Sequence, residues 1–300
     1  MKKKLFGFLS VVLLICSCTN EDNVAVKPEV PPQSSSDLVV KLTDLNDSLM
    51  ATDKIVSRNI TITQAYTYTK IAYKDIKGAY RFGKLGLRIG RMFGPEGAAT
   101  GAVIGGLIGG AGYSYIEYTK SQTRAIDTIA SPLQVTQAYV SVIESRPQYN
   151  DYTPSKITLK YPTVDTNIQL MGAKHNLVLQ KLVDNDLSLT PINKRITPEE
   201  EAIITSKEFE DSYYAGLEEE NADEEINKDV PDVVMRLYLD VFQTYPDKAD
   251  DVEFITNKYI EHISASDELS AEEKEIIYSA LSVAASSYEY WESKKITINK

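Results

Sequence analysis

Residues 97 to 116 carry no charge, and within them Gly97, Gly101, Gly105 and Gly109 recur every four positions. A four-residue step keeps positions nearly in line on one face of a helix. The run is therefore a triple GxxxG ladder, along which a second helix can approach backbone to backbone. Each helical glycine costs about 0.5–1 kcal/mol relative to alanine, so the segment is a poor helix alone and must be covered. Of the 15 glycines in the chain, twelve fall between positions 78 and 112. Whatever the chain folds into has to be arranged around this groove.

The stretch before the ladder is its electrostatic opposite. Lys70, Lys74, Lys77, Arg81, Lys84, Arg88 and Arg91 alternate at spacings of four and three, which lines them along one stripe of a helix. Seven basic residues stand against the single acid Asp75, so residues 62 to 93 carry a net +6. Residues 199 to 225 hold twelve acids against Lys207, a net −11. Two oppositely charged regions imply either separately solvated faces or an attraction within the chain.

Two readings of residues 62 to 118 follow. In the first, the glycine groove packs against an apolar helix of the C-terminal half, and the basic stripe meets the acidic segment. In the second, the region is a membrane-active unit, pore-forming or membrane-docking, held in check by the acidic C-terminal half. Twenty uncharged residues at about 1.5 Å rise match the hydrocarbon thickness of a bilayer. Met92 and Phe93 at one end, with Tyr113, Tyr115 and Tyr118 at the other, suit its interfaces, and the stripe would contact anionic lipid. GxxxG ladders also join copies of one chain, which makes a homo-oligomer a candidate assembly.

Both cysteines, Cys16 and Cys18, stand near the start of the sequence, so no disulfide framework or thiolate metal site is expected beyond them. Lys2, Lys3 and Lys4 precede an apolar run over residues 5 to 15, in the pattern of a secretory signal peptide. That run ends Ile15-Cys16-Ser17-Cys18 and resembles a bacterial lipobox. Ser17 is the small residue required before a lipidated Cys18, whereas bulky Ile15 disfavours Cys16. Ile15 stands where leucine is usual. The resemblance implies cleavage after residue 17 and acylation of Cys18, with several acyl chains giving a stable anchor. Thr19-Asn20-Glu21-Asp22 resembles the short acidic tag with which some Gram-negative lineages send lipoproteins to the cell surface. The expected location is the outer membrane, with exposure at the cell surface.

Residues 18 to 36 are rich in proline and serine and read as a disordered tether. Beyond them the hydrophobic periodicity predicts helices over about 37–57, 61–93, 95–129, 132–144, 167–183, 198–217, 231–244, 249–263 and 271–292. Gly94-Pro95 separates the basic helix from the glycine helix, with Pro95 in the first turn of the latter. Thr197-Pro198-Glu199-Glu200 and Ser270 with Glu273 have the form of capping boxes. Residues 156 to 160 alternate as a short strand would. The fold class is all-α, a bundle of about eight helices with a glycine-rich central helix. Its domains read as a signal peptide (1–17), tether (18–36), basic and glycine-zipper region (37–145) and acidic helical region (146–300).

Chemistry is sparse. His175 and His262 are the chain's two histidines, and neither has a carboxylate or imidazole at the i+3 or i+4 position of a ligand pair. Both read as structural or surface histidines. The acid triplets at 199–201 and 218–220 lack the alternating ligands and central glycine of a calcium loop. The glycines are followed by no Gly-Lys-Ser/Thr ending, and no serine sits in Gly-x-Ser-x-Gly. The expectation is a non-enzyme without metal or cofactor, and a net charge of −11 argues against nucleic acid as a partner. Trp291 reads as a packing anchor for the last helix.

The succession of lipobox, basic helix, glycine ladder and helical C-terminal half resembles the glycine-zipper lipoproteins of Gram-negative bacteria. The ladder from Gly97 to Gly109 carries the match, and no known activity comes with that group.

Overall fold

At Gly94 the backbone takes φ 88° and ψ −172°, a combination that is essentially glycine's alone, and the chain doubles back there. The helix before it, α2 (Ile62–Gly90), ends in a single 3₁₀ turn at Arg91–Phe93. The helix after it, α3 (Gly94–Ser121), opens with Pro95, whose missing N–H costs nothing in a first turn. The two lie antiparallel.

The computed structural model describes residues 36–53, 62–121, 130–145, 156–162, 166–218, 229–246 and 248–294. The signal peptide, Cys18 and the tether up to residue 35 lie outside the described residues, as do 219–228 of the acidic run. Among the described residues the chain is all-α. Around the α2–α3 hairpin stand α1 (Asp37–Asp53), α4 (Pro132–Ser145), α5 (Thr166–Asp184), α6 (Pro198–Ile204), α7 (Lys207–Glu218), α8 (Val230–Thr244), α9 (Ala249–Ala265) and α10 (Ala271–Ser293). Residues 35–300 cluster as one unit, and helices from both regions expected from the sequence contribute to one core.

That makes ten helices among the described residues, close to the about eight expected. One addition comes from a break at Thr205 and Ser206, where a single helix was predicted over 198–217. Thr205 Oγ1 donates to the Glu201 carbonyl (2.7 Å) and Ser206 Oγ to that of Ile203 (2.8 Å). Ser206 Oγ then accepts from the Phe209 N–H (3.2 Å), opening α7. Short hydroxyl side chains thus take over backbone groups that a continuous helix would use. The two capping boxes, at Thr197 with Glu200 and at Ser270 with Glu273, are both formed.

The expected strand at 156–160 is a second correction. The segment is irregular and pairs with no strand among the described residues. Its backbone is satisfied by helix side chains instead. The N–H groups of Lys156, Thr158 and Lys160 donate to Glu289, Glu253 and Asn257, and Asn257 Nδ2 donates back to the Thr158 carbonyl (2.9 Å). Ile157 is buried beneath it.

Hydrogen bonds fix the sense of the helices. Gly172 meets Ser282, Asn176 donates to the Ser286 carbonyl (2.7 Å), and Tyr290 donates to Gln180 (3.0 Å), so α5 and α10 run parallel. Tyr118, near the end of α3, stacks on Trp291 near the end of α10. The beginnings of α3 and α10 therefore share one end of the bundle. On the outside, α1 is held by Asn46, which donates to the Leu237 carbonyl (2.8 Å) and accepts from the Tyr259 hydroxyl (2.9 Å).

Candidate functional site

The four ladder glycines all face α2. Gly97 lies against Gly90, Gly101 against Gly86, Gly105 against the Phe82 carbonyl, and Gly109 beneath the Phe82 ring. A Cβ on Gly101 would stand 2.6 Å from the Gly86 carbonyl carbon, and one on Gly78 would stand 2.5 Å from the Gly109 oxygen. Real Cβ atoms are essentially never found closer than 3.0 Å to such neighbours. The seam is therefore closed to any side chain, and Phe82 is the one large group set into it. Its ring meets those of Tyr113, Phe209 and Tyr213 at 5.4–5.6 Å between centroids.

This corrects the first reading of the ladder. Its partner is the basic helix next to it in sequence, and not an apolar helix of the C-terminal half. The C-terminal half covers other faces of α3. Met171 sits over Gly106, His175 over Gly110, and the Tyr213 hydroxyl over Gly112. Tyr213 donates to the Ala130 carbonyl (2.8 Å), which holds α7 against the strand of chain entering α4.

The basic stripe is not an open surface either. Lys70 pairs with Glu117 of α3 at 2.6 Å. Lys84 reaches Asp229 (2.9 Å) and Asp232 (2.8 Å) at the start of α8, where Tyr80 also donates to Asp232 (2.7 Å). Arg88 pairs with Glu208 of α7 and Arg91 with Glu272 of α10. Lys77 is buried, with its ammonium 6.0 Å from the Tyr73 ring centroid. Burial, and then the neighbouring charge of Lys77, push the Lys74 ammonium below the ordinary lysine value. Arg81 comes within reach of Gly216 on α7. Of these partners only Glu208 belongs to the 199–225 acidic run, so the stripe meets acids distributed over α3, α7, α8 and α10.

The densest chemistry sits where α2, α3, α5 and α10 converge, at Asp75. This is the one acid of the basic helix, and it falls one position off the stripe, on the face turned inward. Its carboxylate is fully buried. Oδ2 accepts from the Trp291 indole N–H (2.9 Å) and from the Ser287 hydroxyl. Oδ1 lies 3.2 Å from His175 Nε2, off the line of a good hydrogen bond, so charge is the main link between them. Burial alone would push His175 down. The carboxylate of Asp75 outweighs it, with help from Asn176 and the Gly110 backbone, and holds the imidazole above its ordinary value.

Aspartate, histidine and serine are also the residues of a nucleophilic triad, but the order here is different. Ser287 donates to the carboxylate and not to the imidazole, and all three side chains are enclosed. The arrangement stores a charge pair and ties three helices together; it presents no nucleophile to a substrate. His175 had no ligand partner in sequence because its partner comes from a helix a hundred residues earlier. His262 is half-buried on α9, and Trp291 is both the expected anchor and a hydrogen-bond donor. The signal that could have found the cluster was the odd position of Asp75 among seven basic residues.

Among the described residues no group of three or more His, Cys, Asp or Glu side chains could hold a metal ion, and no helix is long and apolar enough to cross a membrane. The chain matches no family model, no curated protein and no solved structure.

Proposed function

We propose that this is a non-enzymatic, lipid-anchored protein of the bacterial cell envelope, a rigid helical body that serves interaction at the membrane surface. The carrying observation is the α2–α3 seam. All four ladder glycines are used within the chain, so the zipper builds the body and is not left open for insertion. A homo-oligomer would have to use another face. The anchor itself rests on the lipobox, Ser17-Cys18 after an apolar run. The test is acylation. Wild type should incorporate radiolabelled palmitate and lose its first 17 residues, while Cys18→Ala should accumulate as unlabelled precursor. Equal labelling of the two would sink the anchor.

A second reading, membrane activity restrained by the acidic half, draws support from the pairing of the stripe. Lys84, Arg88 and Arg91 are neutralised by acids of later helices, as a restrained unit requires. Dye-loaded anionic vesicles decide it. Leakage caused by the full-length chain after neutralising Glu208, Asp229 and Glu272 would favour this reading, and intact vesicles would remove it.

A further inference from the structure

The tether enters the fold at Ser36, whose hydroxyl and carbonyl accept from the first N–H groups of α1. The N–H just before these two, on Leu38, donates to Glu268 (2.9 Å) in the loop between α9 and α10. Four residues on, Glu272 pairs with Arg91, the residue before Met92 and Phe93. Four residues span about 15 Å at most, so the point of attachment and the hairpin turn lie at the same end of the bundle. The opposite end, with Trp291 and the loop after α5, is about 35 Å away along the 23 residues of α10.

At that shared end two large apolar side chains of the hairpin turn are exposed. Met92 is 76% exposed and Phe93 44%, and nothing lies within 4 Å of a Cβ on Gly94, the next residue. The two helices behind this turn cannot separate or slide without breaking the glycine seam. Met92 and the outer part of Phe93 thus face solvent at the tip of a stiff hairpin.

We propose that Met92 and Phe93 rest in the outer layer of the bilayer that carries the Cys18 anchor, fixing the end of the body that faces the lipid. The inference rests on the lipoprotein reading above. The 17 residues between Cys18 and Ser36 reach about 60 Å at most, which is enough for the tip to touch that surface. The contact is apolar and not electrostatic. Arg88 and Arg91 are paired with acids, and Asp37, Glu96, Asp267 and Glu268 are exposed at the same end. Zwitterionic lipid should therefore serve as well as anionic lipid.

The mature lipoprotein has no free thiol once Cys18 is acylated, so Met92→Cys introduces one labelling site for a polarity-sensitive fluorophore. Leu189→Cys, fully exposed after α5 at the far end, is the control. Each lipidated protein is reconstituted on phosphatidylcholine vesicles, checked for unchanged helix content, and floated. The label at 92 should shift to shorter wavelength and be quenched by lipids brominated near the headgroup, equally with and without phosphatidylglycerol. The label at 189 should report water. Proteins that do not float would remove the anchor, and this inference with it. Proteins that float with both labels in water would overturn the tip contact alone. A blue shift that follows protein concentration without vesicles would give the surface to a second copy of the chain and overturn the proposal.

Discussion

Gly86 and Gly101 meet backbone to backbone: a Cβ on Gly86 would stand 2.8 Å from the Gly101 carbonyl carbon, and the reverse approach is closer still. Either glycine replaced by alanine forces α2 and α3 apart. Helix propensity would favour alanine by about 0.5–1 kcal/mol, too little to offset overpacking of about 1–3 kcal/mol or more. Gly83→Ala is the comparison, because its Cβ would lie 3.3 Å from the Ala102 carbonyl oxygen and small adjustments suffice. Denaturant unfolding should rank Gly83→Ala near wild type and Gly86→Ala and Gly101→Ala well below it. Equal midpoints for all three would contradict the seam.

At Gly94 the obstacle is conformational. Nothing crowds the position, yet φ 88° with ψ −172° strains any L side chain by about 1–3 kcal/mol. Gly94→Ala should lower the unfolding free energy by that amount without exposing more surface, so the denaturant slope should not change. Wild-type stability for this variant would place the turn elsewhere.

The charge pair gives a contrast between two substitutions at one site. Asp75→Ala leaves the Trp291 indole, the Ser287 hydroxyl and an imidazolium without their acceptor, and breaking a buried pair costs about 3–5 kcal/mol. Asp75→Asn keeps an oxygen for Trp291 and Ser287 while His175 can lose its proton. Chemical denaturation should show the asparagine variant retaining a clear part of the stability lost in the alanine variant. Equal losses would mean that charge alone matters there.

Acidity provides an independent reading of the same pair. His175 is held above its ordinary value near 6.5 in the folded chain. Its contribution is therefore fully present below about pH 6.5 and is lost as pH rises through the raised folded value. Unfolding midpoints followed from pH 5 to 9 should fall on the alkaline side in wild type, and His175→Gln should flatten that fall. A parallel pair of curves would mean that His175 titrates alike in the folded and unfolded chain, against the raised value.

Much of this architecture was legible in spacing. The period of the apolar residues yielded the helices, the prolines and capping residues their starts, and the four-residue repeat at 97–109 the seam. The partner of the seam was legible too. Gly78, Phe82, Gly86 and Gly90 also step by four, in the reverse direction, on the same helix as the basic stripe. Distances between helices are another matter. Nothing local to Asp75 or His175 announces that they meet, since each has polar neighbours in sequence and their contact depends on how α5 crosses the hairpin. The break at Thr205 and the irregular segment at 156–160 were lost for the same reason: side chains supplied backbone partners that periodicity does not register.

The hairpin also orders the events of folding. Gly90 and Gly97 are joined by a short turn, so the first rung closes almost no loop, and each rung shortens the next closure. The bond from Trp291 to Asp75 joins positions 216 residues apart. On a chain emerging from its first residue onward, α2 and α3 can zip together long before α10 has been made. Until it arrives, the carboxylate at the centre of the finished core is an open socket on a preassembled half. The last helix then acts as a latch: it supplies the indole and the hydroxyl together, and the charge is sealed only when the whole chain is present.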